Sequence, residues 1–213
     1  MRLDIFSLFP EAFDWLQTQR PVQNALREGN ELRLFNYRDS TPLRAGQVDD
    51  EPYGGGAGMV LRVDVVAAAL EAAYGGKPPG PVIALSPKGR PLTQPVVEEL
   101  AALPAFTLLS SRFEGFDERI VAHLATDAIS VGPYVLSNGD LPAMLLVDAL
   151  GRRLPGALAA GSGELESFSA ELDGRLEYPQ YTRPAEFRGW RVPDVLLSGD
   201  HARIEGWRRE QVR

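Results

Sequence analysis

DAISVGPYVLSNGDLPAMLLVDAL, residues Asp127–Leu150, is the stretch that decides the fold. Ala128–Val131 predicts a short buried strand, which ends in a turn at Gly132-Pro133. A second break, Ser137-Asn138-Gly139, precedes a helix that begins near Asp140. This helix is apolar on almost every side, which predicts that it is buried against a large surface.

The connection between this strand and this helix is open to two interpretations. A loop with two breaks can offer several backbone N–H and C=O groups to a ligand at the carboxyl end of the strand. Breakers are also expected in any tight connection between a strand and a helix. From these residues alone, the ordinary connection is slightly favoured.

Strands and helices alternate through most of the sequence. The other predicted strands are Arg2–Leu8, Leu32–Tyr37, Val82–Leu85 and Phe106–Leu109. The other predicted helices are one that starts at Phe9-Pro10-Glu11, then Val22–Arg27, Asp64–Tyr74, Gln94–Leu103 and Asp117–Leu124. This order predicts an α/β fold with a mostly parallel sheet that has helices on both faces.

Three of these strands, those that begin at Val82, Phe106 and Ala128, end in loops rich in breakers and polar residues. In parallel sheets of this kind, ligands bind outside the carboxyl ends of the strands. The sequence therefore predicts a single pocket that is lined by all three loops.

The longest irregular segment is Arg38–Gly58, which ends in DDEPYGGGAG. Its four glycines among five residues disfavour both a helix and a central strand. The segment lacks the lysine and the hydroxyl of a phosphate-binding P-loop, and its spacing does not fit a dinucleotide-binding loop. A mobile lid and a simple long loop both remain open.

Composition excludes several classes of protein. At 213 residues, with 44% hydrophobic and 24% charged residues, the chain resembles an ordinary globular protein with one domain, or with one domain and a small appendage. It has no cysteine and only two histidines, His123 and His201, which excludes disulfides, cysteine nucleophiles and histidine-rich metal sites. There is no secretory signal and no apolar run near the roughly 20 residues that span a bilayer, so a cytoplasmic protein is expected.

Charge is distributed unevenly along the chain. The net charge of −7 argues against non-specific binding of nucleic acid. Residues 1–182 carry 15 basic and 24 acidic side chains, whereas residues 183–213 carry 7 basic and 5 acidic ones. Contacts with phosphate are therefore expected near the C-terminal end, although a solvated helix of mixed charge explains the pattern about as well.

Six motifs follow one another along the chain. They are PYGGGAGMV (Pro52–Val60), SPKGR (Ser86–Arg90), SRFEGFDER (Ser111–Arg119), ISVGPYVLSNGDLPAM (Ile129–Met144), YPQYTRP (Tyr178–Pro184) and VPDVLLSGDHARIEGWR (Val192–Arg208). Together they closely resemble the bacterial tRNA (guanine-N1)-methyltransferase family of the SPOUT class. The resemblance covers nearly the whole chain.

This resemblance implies a fold and an activity. It implies a SPOUT-type α/β domain with a deep trefoil knot at residues 1–156, a flexible linker at 157–174 and a small helical tRNA-binding domain at 175–213. It also implies a homodimer whose active sites are shared between subunits. S-adenosylmethionine would be the methyl donor, and the product would be 1-methylguanosine at tRNA position 37.

The resemblance also assigns candidate site residues. The residues that match the methyl-donor pocket are Ser86, Pro87, Ser111, Glu114, Gly115, Val131, Gly132, Pro133, Tyr134, Val135, Leu136, Gly139 and Pro142. The residues expected to contact RNA are Tyr53, Arg183, His201 and Arg208. Arg152 matches the catalytic arginine, and Glu166 aligns with the catalytic aspartate. No protein ligands for a metal are expected, and the need for a divalent ion is left open.

The implied chemistry gives each catalytic residue a role. Glu166 would take the proton from guanine N1 as general base, and Arg152 would stabilise the negative charge that develops on O6. Glu114 would accept a hydrogen bond from the donor edge of the guanine. Without the resemblance, Glu166 would be an ordinary solvated acid and Arg152 a cation at the end of a helix.

The sequence departs from the family pattern at several points. Glu166 is one methylene longer than the usual aspartate, Ser111 replaces glycine, and Phe113 replaces tyrosine. Pro133 replaces an acid and has no N–H group to donate. The sequence given stops at Arg213, before the further basic helix that is typical of the family. Two alternatives therefore stay open: a non-catalytic RNA-binding relative, and a methyltransferase of the same fold that acts on another RNA.

Overall fold

The structure is a computed structural model that describes residues 1–157 and 166–213. The chain divides into two compact units, Met1–Leu158 and Ala159–Arg213. Each unit has its own secondary structure.

A five-stranded parallel sheet forms the centre of the first unit. Its strands are β1 (Arg2–Ser7), β2 (Glu31–Asn36), β5 (Val82–Pro91), β6 (Ala105–Leu109) and β7 (Asp127–Ser130). Two short strands outside this sheet, β3 (Asp49–Asp50) and β4 (Val60–Leu61), pair with each other in antiparallel orientation. The strand order in the sheet is β2-β1-β6-β5-β7, and all four pairings are parallel. The prediction of a mainly parallel sheet is confirmed.

Helices cover both faces of this sheet. They are α1 (Asp14–Gln17), α2 (Arg20–Arg27), α3 (Val63–Tyr74), α4 (Gln94–Ala101) and α5 (Asp140–Gly151). Alternate residues of β1 point to opposite faces, so Ile5 packs with α1, α2, α4 and α5, whereas Phe6 packs with α3. The helix expected at Asp117–Leu124 is only a short π-helix, Ile120–Leu124.

The exposed face of α5 differs from the sequence-based expectation. Leu146 and Leu150 are buried in the core, but Leu141 is 58% exposed and Leu145 is 47% exposed. These two leucines are one helical turn apart and therefore form an apolar stripe on the outer face. The prediction that α5 is buried against a large surface is confirmed for its inner face, whereas the outer face with Leu141 and Leu145 is exposed in the single chain.

The second unit is small and contains short elements. They are a 3-10 turn at Ala170–Leu172, the hairpin strands β8 (Glu186–Phe187) and β9 (Trp190–Arg191), and the helices α6 (Asp194–Leu197) and α7 (His201–Gln211). The segment Pro193–Gly199 contains α6. The N-terminus of α7 is capped, because the Asp200 carboxylate accepts a hydrogen bond from the Arg203 N–H.

Candidate functional site

A bulge within β5, which is the first loop, and the loops at the carboxyl ends of β6 and β7 meet in a single pocket. Its lining residues are Leu85, Ser86, Pro87, Ser111, Arg112, Phe113, Glu114, Gly115, Ile129, Ser130, Val131, Gly132, Tyr134, Val135, Leu136, Ser137, Asn138, Gly139 and Pro142. Every residue that the sequence proposed for the methyl-donor pocket lines it, with the exception of Pro133. The pocket thus brings together segments that are about 50 residues apart along the chain.

The first loop bulges out of the sheet. Leu85 and Arg90 of β5 both pair with Ile129 of β7, so Ser86–Gly89 project from the strand between these two pairings. At Gly89 the backbone passes close to β7, and a Cβ atom there would lie 2.5 Å from the carbonyl carbon of Ala128. The pairing on both sides fixes the position of this loop at the pocket.

The second and third loops are joined through Gly139. Its N–H donates a hydrogen bond of 2.7 Å to the carbonyl of Ser111. A Cβ atom at Gly139 would lie 2.7 Å from the Ser111 nitrogen and 2.9 Å from the Ser110 Cα, distances that do not occur in real structures. Only glycine permits this approach, so the shape of the pocket depends on that missing side chain.

Asp140 fixes the start of α5 beneath the pocket. Its buried carboxylate accepts hydrogen bonds from the hydroxyls of Ser7 at 2.7 Å and Ser110 at 2.6 Å. Burial raises the pKa of the Tyr37 phenol well above its ordinary value, and the negative charge of Asp140 adds to this shift. Sequence reasoning missed this cluster, because Ser7 and Asp140 are 133 residues apart and Ser7 lies outside the six motifs.

The third loop presents backbone rather than charge to the pocket. Tyr134, Val135 and Leu136 are all exposed, and Val135 is 86% exposed. Within the described part of the chain, the N–H groups of these three residues donate no hydrogen bond. Pro133, which has no N–H group, does not line the pocket. The loop therefore has free donors and acceptors for the edge of a planar polar ligand.

Only two charged side chains line the pocket, Arg112 and Glu114, and both come from the second loop. The Arg112 guanidinium lies over the ring of Phe9, with its central carbon 4.7 Å from the ring centroid. Sequence reasoning proposed Glu114 but missed Arg112, although Arg112 lies in the same motif.

The two candidate catalytic residues lie in different units. Arg152 is exposed at the C-terminal end of α5, where its N–H donates to the carbonyl of Asp148 at 3.3 Å. Glu166 is partly buried at the start of a turn, where its carbonyl accepts from the Ser169 N–H at 3.0 Å. The segment 158–165 of the predicted linker lies outside the described residues.

The four candidate RNA contacts are also divided between the units. Tyr53 is fully exposed in the glycine-rich segment of the first unit. Arg183 and Arg208 line a pocket in the second unit, and His201 is the exposed first residue of α7. The Arg208 guanidinium lies 4.9 Å from the centroid of the Tyr178 ring.

Neither a metal cluster nor a membrane-spanning helix is present in residues 1–157 and 166–213. No group of three or more His, Cys, Asp or Glu residues in this range is arranged to hold a metal ion. No helix in the same range is both long and apolar enough to cross a membrane.

Comparison with known proteins agrees with the motifs. The family model described as "tRNA (Guanine-1)-methyltransferase TrmD" matches residues 1–213. The chain belongs to this family. It is similar to proteins named tRNA (guanine-N(1)-)-methyltransferase from Brevibacillus brevis (48% identity, covering 100% of this chain and 87% of the relative) and Nitrobacter winogradskyi (50%, 99% and 87%). A third such protein, from Dehalococcoides mccartyi, is 45% identical over 99% of this chain and 85% of its own length.

Membership of the tRNA (guanine-1)-methyltransferase family identifies the kind of enzyme. The chain is a methyltransferase whose family acts on tRNA and uses S-adenosylmethionine as methyl donor. The three-loop pocket is therefore the candidate site for that donor. Membership of the family does not by itself assign a role to each residue of the site.

Proposed function

We propose that the protein methylates N1 of the guanine at tRNA position 37, just 3′ of the anticodon, and gives 1-methylguanosine. The observation that supports this most strongly is the three-loop pocket, which unites the family motifs around free backbone groups. A tRNA substrate is consistent with a protein that works in the cytoplasm.

The pocket suits the adenosine part of S-adenosylmethionine. Adenine needs both a donor and acceptors along its edge, and the backbone of Tyr134, Val135 and Leu136 has both to offer. The apolar side chains of Leu85, Ile129 and Pro142 are available to pack against the ring. When bound, S-adenosylmethionine supplies the methyl group on its sulfonium for transfer.

Glu166 is the proposed general base. Guanine N1 carries a proton and is a poor nucleophile until a carboxylate removes that proton. Glu166 accepts the proton as the N1–methyl bond forms and later releases it to solvent. The turn at Glu166 is held by the bond from Ser169 and by a bond of 2.8 Å from the Phe168 N–H to the carbonyl of Arg175. These two hydrogen bonds hold the backbone of the turn from which the Glu166 side chain extends, one methylene longer than that of aspartate.

Arg152 is the proposed partner for the negative charge that develops on the guanine. A guanidinium near O6 stabilises that charge, and removal of such a donor commonly costs on the order of 100- to 1,000-fold in rate. We expect Arg152→Ala to lose methyl transfer by about this factor while S-adenosylmethionine binding stays nearly intact. Arg153→Ala is the matched control, since Arg153 forms an ion pair of 3.2 Å with Glu98 on the surface. Equal losses in both variants would remove Arg152 from this role.

A homodimer is proposed through the outer face of α5. Leu141 and Leu145 form an exposed stripe that continues to Asp148 and reaches Arg152 at the end of the helix. Burial of the two leucines removes apolar area from water, which favours association. A partner on this stripe would lie beside Arg152, which supports an active site shared between subunits.

Residues 175–213 of the second unit are proposed to be the tRNA-binding domain, with residues 157–174 as the linker. Arg183 and Arg208 border a pocket of aromatic rings, in which Tyr181 and Trp207 have centroids 6.3 Å apart. Arginines bind phosphate, and aromatic rings stack on exposed bases, so this combination suits single-stranded RNA near an anticodon. Tyr53, in the first unit, is proposed to add a further stacking contact.

The trefoil knot is proposed from the path of the third loop. Strand β7 is at one edge of the sheet, yet at the start of α5 the chain that leaves it contacts Ser110, just after β6, and Ser7, the last residue of β1. The third loop therefore crosses the ends of β5 and β6. Single-molecule stretching tests the knot, because a knotted chain stretches to a shorter length than an unknotted chain of 213 residues.

The test of this function is a methyl-transfer assay with radiolabelled S-adenosylmethionine. A tRNA transcript with guanosine at position 37 should accept one methyl group, and nuclease digestion should release 1-methylguanosine. The same transcript with adenosine at position 37 should accept none. Equal labelling of both transcripts would contradict the assignment of position 37, and binding of S-adenosylmethionine without labelling of either would favour a non-catalytic relative.

A further inference from the structure

Gly58 lies directly against the side chain of Glu114 in the second loop. Its backbone is left-handed, with φ at +82°. A Cβ atom at Gly58 would lie 2.5 Å from Cγ and 2.7 Å from Cδ of Glu114, with the carboxylate oxygen Oε1 closer still. The space that a side chain at position 58 would fill is therefore already occupied by Glu114.

The residues after Gly58 hold the backbone of the second loop. The carbonyl of Met59 accepts a hydrogen bond of 2.8 Å from the Glu114 N–H, and the Leu61 N–H donates one of 3.0 Å to the carbonyl of Gly115. Leu61 and Phe116 form an isolated parallel bridge. The glycine-rich segment thus fixes the backbone of the second loop beside the pocket.

The carboxylate of Glu114 has no other fixed contact. The side chain is exposed, and within the described ranges the carboxylate has no hydrogen bond and no ion pair. Within the described ranges no hydrogen bond or ion pair holds the carboxylate, which lies against Gly58, and a side chain at position 58 would displace it. Among the residues that line the pocket, Glu114 is the only acid.

We infer that Gly58 is a positioning residue, which orients the Glu114 carboxylate toward the guanine by leaving the space that the carboxylate occupies. This inference depends on the proposed function, in which Glu114 accepts a hydrogen bond from the donor edge of guanine. It gives the glycine-rich segment a role in substrate recognition that its glycine content alone did not reveal.

The test is a double-mutant cycle with Gly58→Ala and Glu114→Ala, measured as kcat/KM for methyl transfer to tRNA. Each single variant should lose roughly 10- to 100-fold, the size expected when a hydrogen bond to a charged group is lost. In the Glu114→Ala background, Gly58→Ala should cost no more than Gly55→Ala does, because the group that it displaces is already absent and only the strain of a left-handed backbone remains.

Gly55→Ala is the matched control. Gly55 lies in the same segment with a similar φ of +78°, but a Cβ atom there would meet nothing within 4 Å. Any loss in this variant comes from backbone strain and should be the same with and without Glu114. Melting temperatures of all variants separate loss of the fold from loss of the carboxylate position.

Two results would overturn the inference. One is a loss in Gly58→Ala that is fully additive with Glu114→Ala, as strain alone would produce. The other is a crystal structure of Gly58→Ala in which the Glu114 carboxylate has not moved. Neither result affects the proposed function, which instead fails if the unaltered enzyme does not methylate the guanosine.

Discussion

The pocket of the first unit and the pocket of the second unit are built in different ways. The first is shaped by backbone: Gly139 allows two loops to touch, and Val135 and Leu136 present free N–H groups. The second is lined by large side chains, such as Arg208 over Tyr178. Backbone suits a small ligand of fixed shape, whereas long cationic and aromatic side chains suit a large, charged and flexible polymer.

This difference has a consequence for mutagenesis. In the first pocket, substitutions should matter when they alter the path of the backbone and should matter little when they remove an exposed apolar side chain. In the second unit, removal of a single functional side chain should be enough to weaken tRNA binding.

The largest effect is expected from Glu166→Gln. The neutral amide cannot take the N1 proton, so methyl transfer should fall by roughly 100- to 10,000-fold while the affinity for S-adenosylmethionine is unchanged. Single-turnover transfer to tRNA and calorimetric titration of the methyl donor measure the two quantities. Glu171→Gln, an exposed acid in the same unit, is the control and should retain activity. Undiminished transfer in Glu166→Gln would exclude this residue as the base.

Gly139→Ala tests the backbone-built pocket. The added methyl group must push Ser110 or Ser111 away, and a displacement near 1 Å commonly costs on the order of 100-fold in activity. We expect a loss of this size in kcat/KM, together with weaker binding of S-adenosylmethionine. Gly151→Ala is the control at the other end of α5, where a Cβ atom would meet Val22 at an ordinary 3.5 Å. Normal binding in Gly139→Ala would show that the approach of the two loops is not required.

Arg208→Ala tests the surface built from side chains. Loss of one phosphate contact should weaken tRNA binding by about tenfold and reduce the slope of log K against log salt concentration by about 1. The affinity for S-adenosylmethionine should not change. Filter binding of tRNA at several salt concentrations measures both. Arg209→Ala, one residue further along α7, removes an arginine that already forms an ion pair with Glu205 and should change binding less. If both variants have the same salt slope as the unaltered protein, Arg208 does not contact phosphate.

The smallest effect is expected from Val135→Ala. This side chain is 86% exposed, and its proposed contribution to donor binding comes from its N–H group, which alanine retains. The dissociation constant of S-adenosylmethionine should therefore change by less than about threefold, which corresponds to roughly 0.6 kcal/mol. A loss of tenfold or more in the same titration would show that the valine side chain itself binds the donor.

Sequence reasoning predicted the part of the fold that depends on local pattern. Alternation of apolar strands with helices was sufficient to predict the parallel sheet and the convergence of three loops at one end. It did not identify the exposed face of α5, because Leu141 and Leu145 are as apolar as the buried leucines on the opposite face. Periodicity cannot distinguish a face buried in the chain from a face available to a partner.

The site could be predicted only in part, for a related reason. Motifs supplied the residues of the pocket, but contacts between distant segments left no local signal. The bonds of Ser7 and Ser110 to Asp140 and the packing of Gly58 on Glu114 are contacts of this kind. These contacts depend on the tertiary fold, which brings distant segments together, and local sequence patterns do not predict them.

Hydrogen–deuterium exchange with and without S-adenosylmethionine tests the central claim most directly. The account predicts slower exchange in peptides that cover residues 86–90, 110–115 and 131–139, because the amides at 134–136 donate hydrogen bonds to the bound ligand and the three loops close around it. The account would be contradicted if protection were confined to residues 178–183 and 204–208 of the second unit, or if no peptide from the three loops were protected at a saturating concentration of the methyl donor.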